Sequence, residues 1–243
     1  MEKEFLTQSD TIKKIINSFY TLAPLNVLAI LIGPKYTGKK TLIKSIFPNY
    51  LFLDAKDKAT LKEALKKNDK LVIYNFEAIS SLEEFDFFNK QIIAIANEDI
   101  DSKIVNRFAF KFFMPPLKDR KKDIKLLAEL FYKKAQKDLD IHKEIQIDYD
   151  NLDISRNNHS LKASIYKKLF FETLSKEDIK GILEEYFLKN LDENNGYYEN
   201  LDLYDETIIK AGLKKFKSQL KLSKILGINR NTLRKKIQEH NLD

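Results

Sequence analysis

The chain has 243 residues, 43% of them apolar, enough for a substantial core and for one large domain or two to three small ones. It has no cysteine and three histidines, which excludes disulfides and leaves no metal-ligating constellation, and no apolar run is long enough to span a bilayer. The formal net charge of +7 lies wholly in the last segment: ten Lys and Arg face three Asp and Glu between Glu206 and Asp243, leaving 33 of each sign elsewhere, which points to a polyanion-binding tail on a neutral body.

The first residues, MEKEFLTQSD, lack the positive-then-apolar pattern of a signal peptide, so a cytoplasmic location and no membrane partner are expected. Thr11 to Leu22 reads as a first helix. Leu25 to Ile32 (LNVLAILI) reads as a buried strand, followed by GPKYTGKKT and an apolar-periodic helix from Lys39 to about Phe47. Strand, glycine loop and helix form the context of a phosphate-binding loop. Its candidate nucleotide-binding residues are Gly33, Pro34, Lys35, Tyr36, Thr37, Gly38, Lys39, Lys40 and Thr41. Gly33 and Gly38 permit the tight turn, backbone N–H groups cradle phosphate, and Lys39 reaches toward the outer phosphates. Lys40 stands where the general motif has Ser or Thr.

Leu51 to Asp54, Leu71 to Asn75 and Gln91 to Asn97 read as further strands, with a helix over Lys58 to Lys67 between the first two. Alternating strands and helices predict a parallel sheet covered on both faces. From Met114, MPPLKDRKKDIKLLAELFYKKA opens a helical region that continues through about Leu161 to Leu174 and Glu177 to Lys189. Residues 190 to 204, NLDENNGYYENLDLY, read as a linker.

Beyond it, Ile208, Ile209, Leu213 and Phe216 line one side of a helix, and a second short helix spans about Lys221 to Leu226. Gly227 ends it, Ile228 packs the turn, and Asn229 caps a third helix, Arg230 to about Glu239, whose Leu233 and Ile237 lie on one face. A short helix, a glycine turn and a basic helix make a helix-turn-helix plan, whose second helix enters the major groove of duplex DNA. A basic helical hairpin that docks on protein is the plainer alternative.

The run KLSKILGINRNTLRKKIQEHNL resembles the DNA-binding domain of Fis-type regulators. The resemblance implies that Asn229, Arg230, Asn231, Thr232, Arg234 and Lys235 face bases and phosphates of duplex DNA, and that the module is dimeric. The body resembles the AAA+ domain of the NtrC-type, sigma-54-dependent activators. Their phosphate loop reads GESGTGKE, also without Ser or Thr after the lysine. PPLKDRKKDI is similar to their PPLRERKEDI, and AIAN to their ATN, which puts Asn97 in a nucleotide-sensing position.

The chain departs from that family at four places. The family's strand ends in Asp-Glu, for Mg²⁺ and for the attacking water; LVIYNFE has Asn75 and Phe76 there, with Glu77 one residue late. RNNHSL puts His159 where GNVREL has its phosphate-contacting arginine, and a neutral imidazole replaces a fixed cation poorly. Arg107 alone is kept where the family offers a pair of arginines to a neighbouring subunit. No GAFTGA loop occurs between Lys40 and Lys70, and no receiver or sensing domain is expected ahead of the body, since Thr11 to Leu22 already reads as its first helix.

The expectation is an α/β AAA+ P-loop core with a parallel sheet over 1–117, a small helical lid over 118–189, a linker over 190–205 and an all-α Fis-type helix-turn-helix domain over 206–243. It implies a cytoplasmic bacterial DNA-binding transcriptional regulator with a degenerate, hydrolysis-deficient AAA+ nucleotide-binding domain that does not activate sigma-54. ATP or ADP is the implied cofactor, with Mg²⁺ left open and no resident metal. Glu77, Asn97 and Arg107 are the candidates for residual hydrolysis. Expected partners are duplex DNA, further copies of the chain in a homodimer or larger homo-oligomer, and the transcription machinery. The alternatives are a working AAA+ ATPase regulator and a scaffold that binds no nucleotide.

Overall fold

The computed structural model describes residues 5–142, 144–191 and 196–242. The chain divides into two compact units, one up to Thr173 and one from Leu174. Among the described residues no helix is long and apolar enough to cross a membrane.

The first unit begins with α1 (Asp10–Leu22), β1 (Leu28–Ile32), α2 (Lys39–Ile46), β2 (Leu51–Asp54), α3 (Lys58–Lys67) and β3 (Lys70–Tyr74). It continues with β4 (Gln91–Ala96), α4 (Ser102–Val105), β5 (Phe110–Phe113), α5 (Lys121–Asp138) and α6 (Asn158–Thr173). All five strands are parallel, in the order β2-β3-β4-β1-β5. Strand alternation sorts the core into two layers. Ile30, Leu71, Ile73, Ile92 and Ala94 pack with Leu61 and Leu65 of α3 and Ile104 of α4. Ala29, Leu31, Val72, Ile93 and Ile95 pack with Ile12 and Phe19 of α1 and Leu42 and Ile43 of α2.

This sorting follows from handedness. The β1-to-β2 connection runs one way along the sheet, whereas β2 to β3, β3 to β4 and β4 to β5 run the other. Right-handed crossovers therefore put α2 on one face and α3 and α4 on the opposite one. The loops after β1 and β4 leave in opposite directions, so a crevice opens at the carboxyl ends of these adjacent strands, where ligands of open α/β sheets bind. All six residues of β4 are buried. The one polar member, Gln91, is satisfied: its Nε2 donates to the carbonyls of Leu22 and Ala23, and its Oε1 accepts from the Tyr50 hydroxyl.

Strand β5 is absent from the sequence expectation. FKFF is a four-residue edge strand interrupted by Lys111, with Phe110 and Phe113 exposed, so it lacks the unbroken buried apolar run that marks β1, β3 and β4. Helices α5 and α6 enclose a separate small core of Leu117, Leu127, Ala128, Leu161, Ile165 and Leu169.

The second unit holds α7 (Lys176–Asn190), α8 (Gly196–Glu199), α9 (Leu201–Phe216), α10 (Gln219–Leu226) and α11 (Arg230–Glu239). The helix expected in the lid, α7, falls in this unit. Of the segment expected as a linker, 192–195 lie outside the described residues and Gly196 onward is largely helical. Its Asn and Asp content hides a helix start: Leu201, Tyr204 and Ile208 continue the spacing of α9 toward its N-terminus.

Ile209, Leu222, Leu233 and Ile237 form the fully buried centre of the three-helix core, ringed by Leu213, Phe216, Leu226 and Ile228. Helices α9 and α10 approach closely because Gly212 has no side chain; a Cβ there would lie 2.3 Å from Leu222 Cδ1. Gly227 takes φ 66° at the end of α10, and Ile228 N–H returns to the Ser223 carbonyl.

Candidate functional site

The phosphate loop occupies the expected crevice. Gly33 continues β1 so close to the chain after β5 that a Cβ would stand 2.3 Å from the Met114 carbonyl oxygen. Gly38, at φ 99°, turns the loop into α2, and Tyr36 also takes a left-handed conformation.

Three successive loop carbonyls are held from the side of α5 and α6. Asn157 Nδ2 donates to the Lys35 carbonyl at 2.8 Å, the Asn158 N–H to Tyr36 at 3.2 Å, and Arg120 Nη2 to Thr37 at 2.9 Å. Across a trans peptide the N–H points opposite to the carbonyl. Fixing these carbonyls therefore turns the N–H groups of Tyr36, Thr37 and Gly38 toward the cleft that those residues line. Arg120 is itself buried and bonded to Asp123, whose carboxylate also accepts from the Thr7 hydroxyl and from the N–H groups of Gln8 and Ser9. Burial lowers the Arg120 pKa, against the opposing pull of Asp123.

The cleft has a volume of about 530 Å³. Lys39 is 7% exposed and folds back: its Nζ donates to the carbonyls of Gly33 (2.6 Å) and Pro34 (2.7 Å) and to Asn97 Oδ1 (3.2 Å). Burial pushes its pKa down to about 8, offset in part by Glu77, Glu98 and Asp99. Asn97 also donates from its backbone N–H and from Nδ2 to the two oxygens of Glu77, at 3.1 and 2.5 Å. Glu77 reaches the cleft because Asn75 leaves β3 with φ 55° and Phe76 turns wholly into the core. Asn75 Nδ2 donates to both oxygens of Asp54, each at 2.9 Å. The Lys40 ammonium stands 3.3 Å above the Tyr74 ring centroid.

Of the three candidates for hydrolysis, Glu77 and Asn97 come together in the cleft, whereas Arg107 is exposed and does not line it. All of the loop candidates line the cleft except Gly33 and Pro34, which accept from Lys39 behind it. His159 is exposed, with its ring 4.8 Å from that of Tyr36, and Arg156 lies 5.4 Å from the same ring. Arg120, Asp123, Asn157 and Asp54 are the site residues that sequence reasoning misses. Only the acidic end of β2 beside Asn75 gives a signal, through two polar residues at the carboxyl ends of neighbouring strands.

In the second unit, Leu233 and Ile237 anchor α11, leaving Asn229, Arg230, Asn231, Thr232, Arg234 and Lys235 exposed. Asn229 Oδ1 accepts from Asn231 N–H at 2.8 Å and so starts the helix. Lys235 lies 3.6 Å from Glu239, and Lys236 pairs with Asp205. Arg230 and Arg234 have no ion-pair partner among the described residues and lie one turn apart, their charge free for an outside anion.

A family model, bacterial regulatory protein of the Fis family, matches residues 205–240. Among curated proteins none matches the chain. Among solved structures the chain is similar to NtrX from Brucella abortus in complex with ATP: TM-score 0.54 and 15% identity, over 98% of this chain and 69% of that one. NtrX in complex with ADP gives a TM-score of 0.54 and 14% identity, over 99% and 70% of the two chains. A further NtrX structure gives 0.55 and 13%, over 97% and 69%. At these identities the likeness shows the fold: a five-stranded parallel AAA+-like α/β core followed by a C-terminal helix-turn-helix domain of the Fis type.

Proposed function

We propose that the chain is a cytoplasmic bacterial transcription regulator that reads duplex DNA through residues 206–243. Its AAA+-like body binds ATP or ADP as a structural ligand or switch and leaves it largely unhydrolysed. The observation that carries this reading is α11, whose apolar side is buried while Arg230, Asn231, Thr232 and Arg234 stand exposed on the other side, the two arginines without an ion-pair partner among the described residues. Arginine suits the acceptors of guanine in the major groove, and the shorter polar groups with Lys235 suit phosphate positioning.

A homodimer would set two such helices at a fixed spacing, which suits a two-fold operator. The apolar residues Ile179, Ile182, Leu183 and Tyr186 of α7, exposed at helical spacing within their unit, support a second copy as partner. The body's bonding supports weak hydrolysis. Glu77 is engaged at both oxygens by Asn97, and Asn75 carries no charge and donates to Asp54, so among the described residues that line the cleft no carboxylate without a partner stands ready to orient water. Without a GAFTGA sequence, sigma-54 is not its target.

Phosphate release from ATP by the intact protein, with and without DNA, is expected to equal that of a Lys39→Ala control. Turnover clearly above the control would make the body a working ATPase and overturn this part of the reading.

A further inference from the structure

The family resemblance implies Mg²⁺ beside a nucleotide, but the residues of this cleft do not fit the ion. Mg²⁺ in nucleotide sites is held through one or two carboxylates, waters and the substrate's phosphates. Among the described residues the only carboxylate lining the cleft is Glu77, and both of its oxygens accept hydrogen bonds from Asn97. The end of β3 presents the neutral amide of Asn75, and the acid behind it, Asp54, accepts from that amide at both oxygens and does not line the cleft.

A cation already stands at this place. Lys40, in the first turn of α2, puts its ammonium 3.3 Å over the ring of Tyr74, the last residue of β3, and so bridges the two elements between which a phosphate-bound metal would be held. Lys35, Lys39 and Lys56 line the same cleft, which therefore carries four lysines against one glutamate.

We infer that the cleft takes a nucleoside di- or triphosphate without a divalent cation, the Lys40 ammonium supplying the charge that the metal supplies elsewhere. This rests on the nucleotide-binding reading. A polyphosphate entering the cleft meets loop N–H groups, the N-terminus of α2 and the Lys40 ammonium held over Tyr74, with Lys35 and Lys56 beside it, and needs no further ion to balance its charge. The inference also bears on turnover: a fixed ammonium neutralises phosphate but cannot carry a coordinated water or bridge two phosphate oxygens through a coordination shell.

Binding of ADP and ATP to the intact protein is measured by titration calorimetry in excess MgCl₂ and in excess EDTA. The expected dissociation constants in the two conditions agree within about threefold, and Lys40→Glu is expected to weaken binding in EDTA by roughly tenfold or more, with Mg²⁺ restoring part of it. Binding by the unaltered protein that weakens about tenfold or more in EDTA would overturn the inference and leave nucleotide binding intact. Equal affinity of Lys40→Glu and the unaltered protein in EDTA would overturn the role given to Lys40. No binding in either condition would remove the nucleotide reading itself, and the inference with it.

Discussion

Replacing Leu233 by alanine is expected to unfold the helix-turn-helix unit and abolish its binding to duplex DNA. Leu233 is fully buried against Ile209, Leu222 and Ile237, and these four residues are the whole fully enclosed centre of the three-helix core. Truncating a buried leucine costs roughly 2–5 kcal/mol, because the lost transfer energy is joined by the cavity left behind. In units below roughly 70–80 residues a single core rarely supplies more than about 3–5 kcal/mol in total. The substitution therefore removes most of what holds α11 in place. Circular dichroism should lose the helical signal of α9, α10 and α11 while the transition of the first unit persists. Retained helix signal and unchanged duplex affinity would show that α11 does not depend on this core.

Gly33→Ala is expected to produce the other large effect, in the phosphate loop. The new Cβ would meet the Met114 carbonyl oxygen at 2.3 Å and the Met114 carbonyl carbon and Cβ at 3.2 Å. These atoms cannot easily yield. Met114 is wholly buried, and its N–H donates to the Ile32 carbonyl at 2.7 Å, which ties this stretch to the end of β1. Forcing extra atoms into such a place costs about 1–3 kcal/mol and occasionally more, and a backbone obstacle belongs at the upper end. The melting temperature of the first unit should fall by roughly 5–10 °C. Nucleotide should no longer raise it, since the N–H groups of Tyr36, Thr37 and Gly38 lose their alignment. An unchanged melt with full nucleotide protection would show that β5 and the loop can part without penalty.

The contrast between these two sites shows what a single sequence carries. The unbroken apolar runs of LAILI and QIIAIA, the glycines of GPKYTGKK and the four-residue spacing of Leu233 and Ile237 are local patterns. The runs mark strands buried on both faces, the glycines a tight turn and the spacing one buried helix side, so β1, β4, the loop and α11 are legible from them. The start of α9 is not, because Asn and Asp around Leu201 and Tyr204 compete with helix locally and are overridden by the rest of the helix. Strand β5 is not, because four edge residues with two exposed phenylalanines carry no distinctive burial pattern.

The bonds that shape the cleft are the least legible. Arg120 to Thr37 spans 83 positions, Asn157 to Lys35 spans 122, and Asp54 to Asn75 joins neighbouring strands. Nothing in the local composition marks such partners, although each residue type alone is unremarkable on a polar surface. Glu77 is an intermediate case. Its offset by one residue is visible in LVIYNFE, but its position in the cleft depends on the left-handed turn at Asn75 that sends Phe76 into the core. Arg107 is the opposite case: resemblance singles it out, and within its unit it stands exposed and away from the cleft.

The claim that α11 reads DNA is tested most directly by fluorescence anisotropy of a labelled mixed-sequence duplex, titrated at rising salt with the intact protein and with the Arg230→Ala, Arg234→Ala double variant. Both arginines are exposed, so their removal leaves the core untouched. The intact protein is expected to bind with an affinity that falls steeply as salt rises, and the double variant to lose roughly tenfold or more per arginine with a shallower salt slope. Equal affinity and equal salt slope for the two proteins would contradict that claim.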